Sequence, residues 1–216
     1  MTTATATATM TRRQQQQATL RRDVLDAALT QLDEGGSAAV NWRGLARSVG
    51  VSPSTLYTYF ESIDALYTAL ILDVYSQMET EVARTVEANA APVDRVVAAS
   101  HGYRRFATTH PARFTLVFTD VLPGYAAPPG GPTVDAQVAV MAPLIGGVNA
   151  LLGEDESEFE SMSLPRRRLL IGAWARLHGF VSLEVNHHLD WVGDLDEMFS
   201  SMLGTMIAEL TAAPID

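Results

Sequence analysis

The chain has 216 residues, a net charge of −10 and no cysteine. That length allows one compact core or two modest domains, and without cysteine there are no disulfides and no thiolate metal sites. No apolar run of about 18 residues occurs, so no membrane span is expected, and the N-terminus lacks the pattern of a secretion signal; a soluble cytoplasmic protein is the expectation.

The acidity is unevenly spread. Residues 1–60 hold arginines 12, 13, 21, 22, 43 and 47 against four acids, a balance of +2, and residues 61–216 carry −12. All 15 basic residues are arginine, which suits bidentate contact with phosphate and guanine and equally fits a coding bias. A basic N-terminal part on an acidic body is the footprint of a chain that touches nucleic acid at one end.

Residues 1–18 are low in complexity, with no periodic apolar face, and read as a disordered arm. Arg12 and Arg13 fit either a minor-groove arm or a tail without function. From residue 19 to 34 an apolar stripe of Leu20, Val24, Leu25, Ala28, Leu29 and Leu32 predicts the first helix, and Gly35-Gly36 ends it. Asp23 and Asp26, among arginines, read as solvated surface.

Residues 40–66, VNWRGLARSVGVSPSTLYTYFESIDAL, predict two short helices around a sharp turn, then the start of a longer helix. Leu45, Ala46 and Val49 make one apolar face. Gly50 breaks the helix, since glycine enters positive φ cheaply. Ser52 suits an N-cap and Pro53 the first helical position. Leu56 and Phe60 turn inward, which leaves Ser54, Thr55, Tyr57, Thr58 and Tyr59 outward. Such a hydroxyl-rich helix fits the major groove of DNA; the same spacing also fits an ordinary helical hairpin. Trp42 opens the second helix and is expected to pack.

The run LARSVGVSPSTLYTYFESIDAL resembles the signature of the TetR (tetracycline-repressor-like) transcription regulators, over residues 19–72. The resemblance implies a helix-turn-helix DNA-binding module with Asn41 and Arg43 near phosphate. It implies Ser52, Ser54, Thr55 and Thr58 toward the groove and Tyr57 and Tyr59 toward the DNA backbone. One departure stands out: where the family often has a lysine opening the fourth helix, this chain has Ile63 between Glu61 and Asp64. One phosphate contact is expected to be missing.

From residue 62 to about 89 a long helix is predicted, because Leu66, Leu70, Val74, Met78 and Val82 keep a constant four-residue step. It is too long to serve the DNA module alone. A helix over 93–109 follows, then a short one from Pro111. Residues 122–133 are a breaker-rich loop. A helix over 134–152 contains Pro143, where a kink is expected, and Gly146-Gly147, where another helix can approach. Residues 153–163 read as an acidic linker. Two apolar helices close the chain, over 164–186 with Gly172 and Gly179 on one face, and over 194–212. Paired across a two-fold, they fit a four-helix dimer seam; the same residues also fit internal core.

WARLHG, residues 174–179, resembles the Trp-x-x-x-His-Gly element of one C-terminal subgroup of the same family. Tyr103, Phe106, Phe114, Phe118, Met141, Trp174 and His178 come from several predicted helices and form a candidate ligand cavity; their rings equally fill a core. His187-His188 with Asp190 reads as helix-end surface, and no metal site, cofactor site, phosphate loop or catalytic constellation is expected.

The reading is therefore all-α: a disordered arm over 1–18, a helix-turn-helix domain over 19–65 and a ligand-sensing, dimerising domain over 66–216. The resemblance implies a homodimeric repressor, not an enzyme, released from a palindromic double-stranded operator by a small, largely apolar ligand. The alternative is an effector-independent DNA-binding dimer whose C-terminal part only dimerises or binds protein.

Overall fold

The computed structural model describes residues 11–86, 90–119, 122, 124–152 and 162–212. Among them there is no strand. The helices are α1 (Arg12–Gly35), α2 (Trp42–Ser48), α3 (Pro53–Leu56), α4 (Ile63–Thr85), α5 (Pro92–Thr109), α6 (Pro111–Phe118), α7 (Pro132–Leu151), α8 (Leu164–Val185) and α9 (Leu195–Ala212), with a 3-10 turn at Ser37–Ala39.

The first helix starts earlier than its apolar stripe. Thr11 caps it: the Thr11 hydroxyl accepts from the Gln14 N–H, and the Gln14 side chain accepts from the Thr11 N–H at 2.8 Å. That reciprocal box starts a helix even in polar sequence. The run of Arg and Gln that follows has good helix propensity and rides on a helix already held downstream by Val24, Leu25, Ala28, Leu29 and Leu32, all buried. Residues 12–18, expected in a disordered arm, are helical; residues 1–10 lie outside the described residues.

Helix α4 supplies the spine. Leu66, Leu70, Val74, Met78 and Val82 are all buried, as the four-residue step predicts. It packs on α1 and also on α5, α6 and α7. The helix ends at Thr85, sooner than the expected residue 89: Val86 is extended, and residues 87–89 lie outside the description.

In the C-terminal half, α4, α5 and α7 pack closely on one another. Gly147 is the reason α7 can come so near: a Cβ there would lie 2.8 Å from Val96 Cγ2 and 3.2 Å from the Val96 backbone nitrogen. The helix continues through Pro143. With a mean hydropathy of 1.4 over its most apolar stretch, α7 is by length and composition apolar enough to cross a membrane. Here its Val140, Leu144 and Val148 are buried within the helical bundle. A buried pair, Arg166 Nη2 to Asn149 Oδ1 at 2.8 Å, joins α8 to α7.

Ion pairs tie the layers. Arg104 on α5 meets both carboxylate oxygens of Glu184 on α8 at 2.7 Å and Asp196 on α9 at 2.6 Å, and its guanidinium lies 4.8 Å over the Phe199 ring. The fork geometry of arginine suits this bidentate contact. The acidic linker expected over 153–163 falls outside the described residues except for Met162 and Ser163.

Because Gly147 sits against Val96 backbone, Gly147→Leu is expected to cost roughly 1–3 kcal/mol by overpacking. Chemical denaturation of the variant beside the parent measures it, with a lower midpoint expected.

Candidate nucleic-acid interface

The turn between α2 and α3 is closed by backbone geometry. Gly50 adopts φ +71°. The Val51 N–H donates to the Ala46 carbonyl at 2.9 Å, and the Gly50 N–H to the Arg47 carbonyl at 3.2 Å. This pair of hydrogen bonds satisfies the last carbonyls of α2 and places Val51 against the apolar side. The chain then re-enters helix at once. Ser52 accepts from the Thr55 N–H at 3.2 Å, and Pro53 fills the first helical position.

Helix α3 is a single turn. Tight bonds prolong it: Thr58 N–H to the Thr55 carbonyl and Tyr59 N–H to the Leu56 carbonyl. Leu56 and Phe60 are buried and anchor it. The expected outward set divides in two. Ser54, Tyr57 and Thr58 are exposed, while Thr55 and Tyr59 are half-buried. Ser52 is exposed, but its hydroxyl is shared with those of Ser54 at 2.8 Å and Thr55 at 2.7 Å. The Tyr57 ring packs on Trp42 at a tilt of 40°, centroids 4.6 Å apart, and Trp42 Nε1 donates to the Pro53 carbonyl at 3.0 Å. Trp42 therefore packs, as expected, and braces α3 on α2.

Asn41 caps α2: its Oδ1 accepts from the Gly44 N–H at 2.8 Å and its Nδ2 donates to the Ala39 carbonyl at 2.9 Å. Arg43, beside it, is exposed and has no ion-pair partner among the described residues. Ile63 opens α4 behind the Ser62 cap and is 36% exposed.

Sequence reasoning missed Arg21. Its Nη1 donates to the Tyr59 carbonyl at 3.0 Å and its guanidinium covers the Phe60 ring at 4.4 Å. It satisfies the end of the recognition turn from α1. No local signal marks this contact, since it spans 38 residues of sequence. Next to it Arg22 clamps both Asp26 and Asp73, and the four-residue spacing to Asp26 was the legible half of that pair.

Five of the seven residues of the candidate cavity converge. Tyr103 packs edge-on against Phe114, Phe118 and Trp174 with centroids 5.2–6.2 Å apart. His178 stacks on Trp174 at 5.0 Å, and its Nδ1 shares a hydrogen bond of 2.9 Å with the Tyr103 hydroxyl. Burial pushes the Tyr103 hydroxyl far above its ordinary pKa and the Tyr75 hydroxyl up to about 12. Tyr75 donates to the Val117 carbonyl at 3.0 Å. Two of the seven stand apart. The ring contact of Phe106 is with His110, 5.3 Å away, and it lines a separate pocket with Gln77 and Arg105. Met141 joins Trp174 in lining an apolar groove of about 810 Å³ between α7 and α8, with Leu144, Val148 and Leu170. His187 and His188 lie in the exposed turn after α8, with His187 Nδ1 3.3 Å from Asp190.

A short helix-turn-helix with a braced recognition turn, set on a larger helical body by one shared helix, defines a DNA-binding transcriptional regulator. Comparison agrees: residues 24–70 match the family model described as bacterial regulatory proteins, tetR family, and residues 96–206 match the tetracyclin repressor-like C-terminal domain. The chain belongs to the TetR family. It is 35% identical over 108 residues to the HTH-type transcriptional regulator Mb1846 of Mycobacterium bovis, a match that spans 49% of this chain and 46% of that protein. The chain thus covers about half the length of that relative. It is 28% identical over 186 residues to the HTH-type transcriptional regulator Rv0681 of Mycobacterium tuberculosis, 85% of this chain and 78% of the other. The same fold occurs in the transcriptional regulator SCO7222 of Streptomyces coelicolor, with a TM-score of 0.65 at 19% identity, covering 90% of this chain and 99% of that one. It occurs too in BioQ bound to its double-stranded DNA operator, with a TM-score of 0.56 at 21% identity, covering 89% and 98%.

Two outcomes test this geometry. Ser52→Ala removes the cap and the hub of three hydroxyls, and is expected to cost about 0.5–2 kcal/mol in the melting of the protein. Burial lowers the pKa of His178 below its ordinary 6.5, and lowers those of His101 and His110 likewise. The unfolded chain then takes up protons at a higher pH than the folded one does. Stability is full above about pH 6.5 and falls as the pH drops below it. Thermal midpoints measured down to about pH 5 are expected to decline, and the decline is expected to be shallower in His178→Gln.

Proposed function

We propose that this regulator acts as a cytoplasmic homodimeric repressor, released from a palindromic operator by a small, largely apolar ligand. The observation that carries the reading is α4. One continuous helix is packed on α1 in the DNA-binding module and on α5, α6 and α7 in the body. A shift of α4 in the body moves the recognition turn with it.

At the DNA, Ser54 and Thr58 meet base edges, and Tyr57, Tyr59 and Arg43 meet phosphates; Asn41 and Ser52 act as caps, and Thr55 holds Ser52. Two such modules about 34–36 Å apart reach successive major grooves of one face of the duplex. Dimerisation uses α8 and α9, which leave Ile171, Leu183 and Met198 exposed, and the turn between them, where Trp191 is 83% exposed. Gly172, Gly179 and Gly204 have no neighbour within 4 Å of a Cβ in the single chain, so a second copy's helices can approach there closely.

The ligand enters the groove between α7 and α8 and reaches the ring cluster through Trp174. Its walls are apolar, with Asp135 and Gln137 at the edge. The Tyr103–His178 pair is the polar handle. A ligand that favours wrongly spaced modules by about 1–3 kcal/mol weakens operator binding roughly 5- to 150-fold. The effector-independent reading is favoured by one observation: the rings of Tyr103, Phe114, Phe118, Trp174 and His178 already pack against one another.

Fluorescence anisotropy on duplexes selected from a random library by the purified protein tests the reading. Binding is expected to depend on the palindrome and to weaken linearly in log–log form with salt. Thr58→Ala is expected to alter base preference, Tyr57→Phe to weaken all sequences alike, and Ile63→Lys to strengthen binding with a steeper salt slope. Met198→Glu is expected to give monomers by sedimentation and to lose operator binding. Equal binding to every duplex overturns the operator reading.

A further inference from the structure

The first two turns of α1 have no role in the helix-turn-helix or in the core. Residues 12–18 are all exposed. Arg12 and Arg13 have no ion-pair partner among the described residues, and no acid occurs on the helix before Asp23. These turns are nonetheless built, since the Thr11–Gln14 box defines their start.

Three long-range contacts fix where they point. At its C-terminal end α1 is held by Asp33 to Arg113 of α6, whose Nη1 reaches Gln77 of α4 at 2.7 Å. In its middle, Arg22 is held to Asp73 of α4. One residue earlier, Arg21 touches the Tyr59 carbonyl and the Phe60 ring, next to the N-terminus of α4. Followed toward its N-terminus, α1 therefore runs from the body to the recognition turn, and residues 12–18 continue beyond it. Arg13, Gln17 and Arg21 are spaced by four, so the outer donors share a face with the arginine that marks the recognition turn.

We propose that this N-terminal extension of α1 is a second DNA-contacting element, in which Arg12 and Arg13 bind backbone phosphates outside the half-site read by α3. The inference rests on the chain's DNA binding and extends its footprint. The seven residues add about 10 Å of rod, the length of about three base pairs. A helix about 10–12 Å across does not fit a minor groove about 6 Å wide. The helix itself therefore stays outside the groove, and the contact we assign to its arginines is to the phosphates along the groove's edge. It carries no base preference and adds affinity in a salt-dependent way.

The test uses the full-length protein and a selected duplex in two lengths: the palindromic core alone, and the core with about ten extra base pairs of arbitrary sequence on each side. The wild-type protein is expected to bind the longer duplex more tightly. The double variant Arg12→Gln/Arg13→Gln is expected to bind both lengths equally, with its base preference unchanged. Its log–log salt slope is expected to be shallower by about 0.9 for each phosphate that is no longer neutralised. Gln15→Gly/Gln16→Gly, which loosens the helix and keeps both arginines, is expected to forfeit part of the same added affinity. An unchanged slope and an unchanged benefit from the flanks in the arginine variant overturn the proposal. Full retention of that benefit in the glycine variant overturns the helical contact in favour of a flexible arm. A wild-type protein without preference for the palindrome removes the operator reading itself, a result distinct from either.

Discussion

The buried row on α4 is the constraint on which the other contacts depend. Leu66, Leu70, Val74, Met78 and Val82 lie on one face of a single helix, and that helix packs on α1 of the DNA-binding module and on α5, α6 and α7 of the body. A helix cannot bend sharply without a proline, a glycine pair or an inserted group, and α4 has none of these. The two halves of the chain therefore cannot move independently near the joint. Arg113, bonded both to Asp33 of α1 and to Gln77 of α4, adds a polar strut across the same joint.

The recognition turn shows how little helix is needed when its ends are satisfied. Its one regular turn is too short to be stable by itself. Gly50 and Val51 close the preceding helix, Ser52 caps the next, Trp42 braces it from α2, and Arg21 reaches its last carbonyl from α1. Each contact satisfies a polar group or covers a ring. Together they leave a small surface of Ser54, Tyr57 and Thr58 whose position is fixed from behind. The Ser54 hydroxyl is held by that of Ser52, and Tyr57 and Thr58 are exposed beside it.

In the body the polar groups are few and placed at seams. Arg104 joins α5 to α8 and α9 through two carboxylates and the Phe199 ring, and Arg166 joins α8 to α7 through Asn149. The Tyr103–His178 pair sits inside an aromatic cluster beside the groove between α7 and α8. A polar pair in such surroundings is costly to leave unsatisfied. It therefore adds a second directional contact between α5 and α8 to that of Arg104 with Glu184.

Much of this is legible in the sequence, for a physical reason: helices are local. Periodicity places α4 through α9 to within a few residues, glycine and serine chemistry places the turn between α2 and α3, and the signature around Gly50 to Phe60 indicates the family. What the sequence leaves open is decided by contacts between residues far apart along it. That the ring contact of Phe106 is with His110 and that Arg21 supports the recognition turn depend on how side chains pack, and packing is not periodic. The polar start of α1 reads as a disordered arm because its seven residues lack an apolar face. They are helical because a capping box and an anchored downstream helix continue through them, and only the tertiary structure shows that this continuation points past the recognition turn.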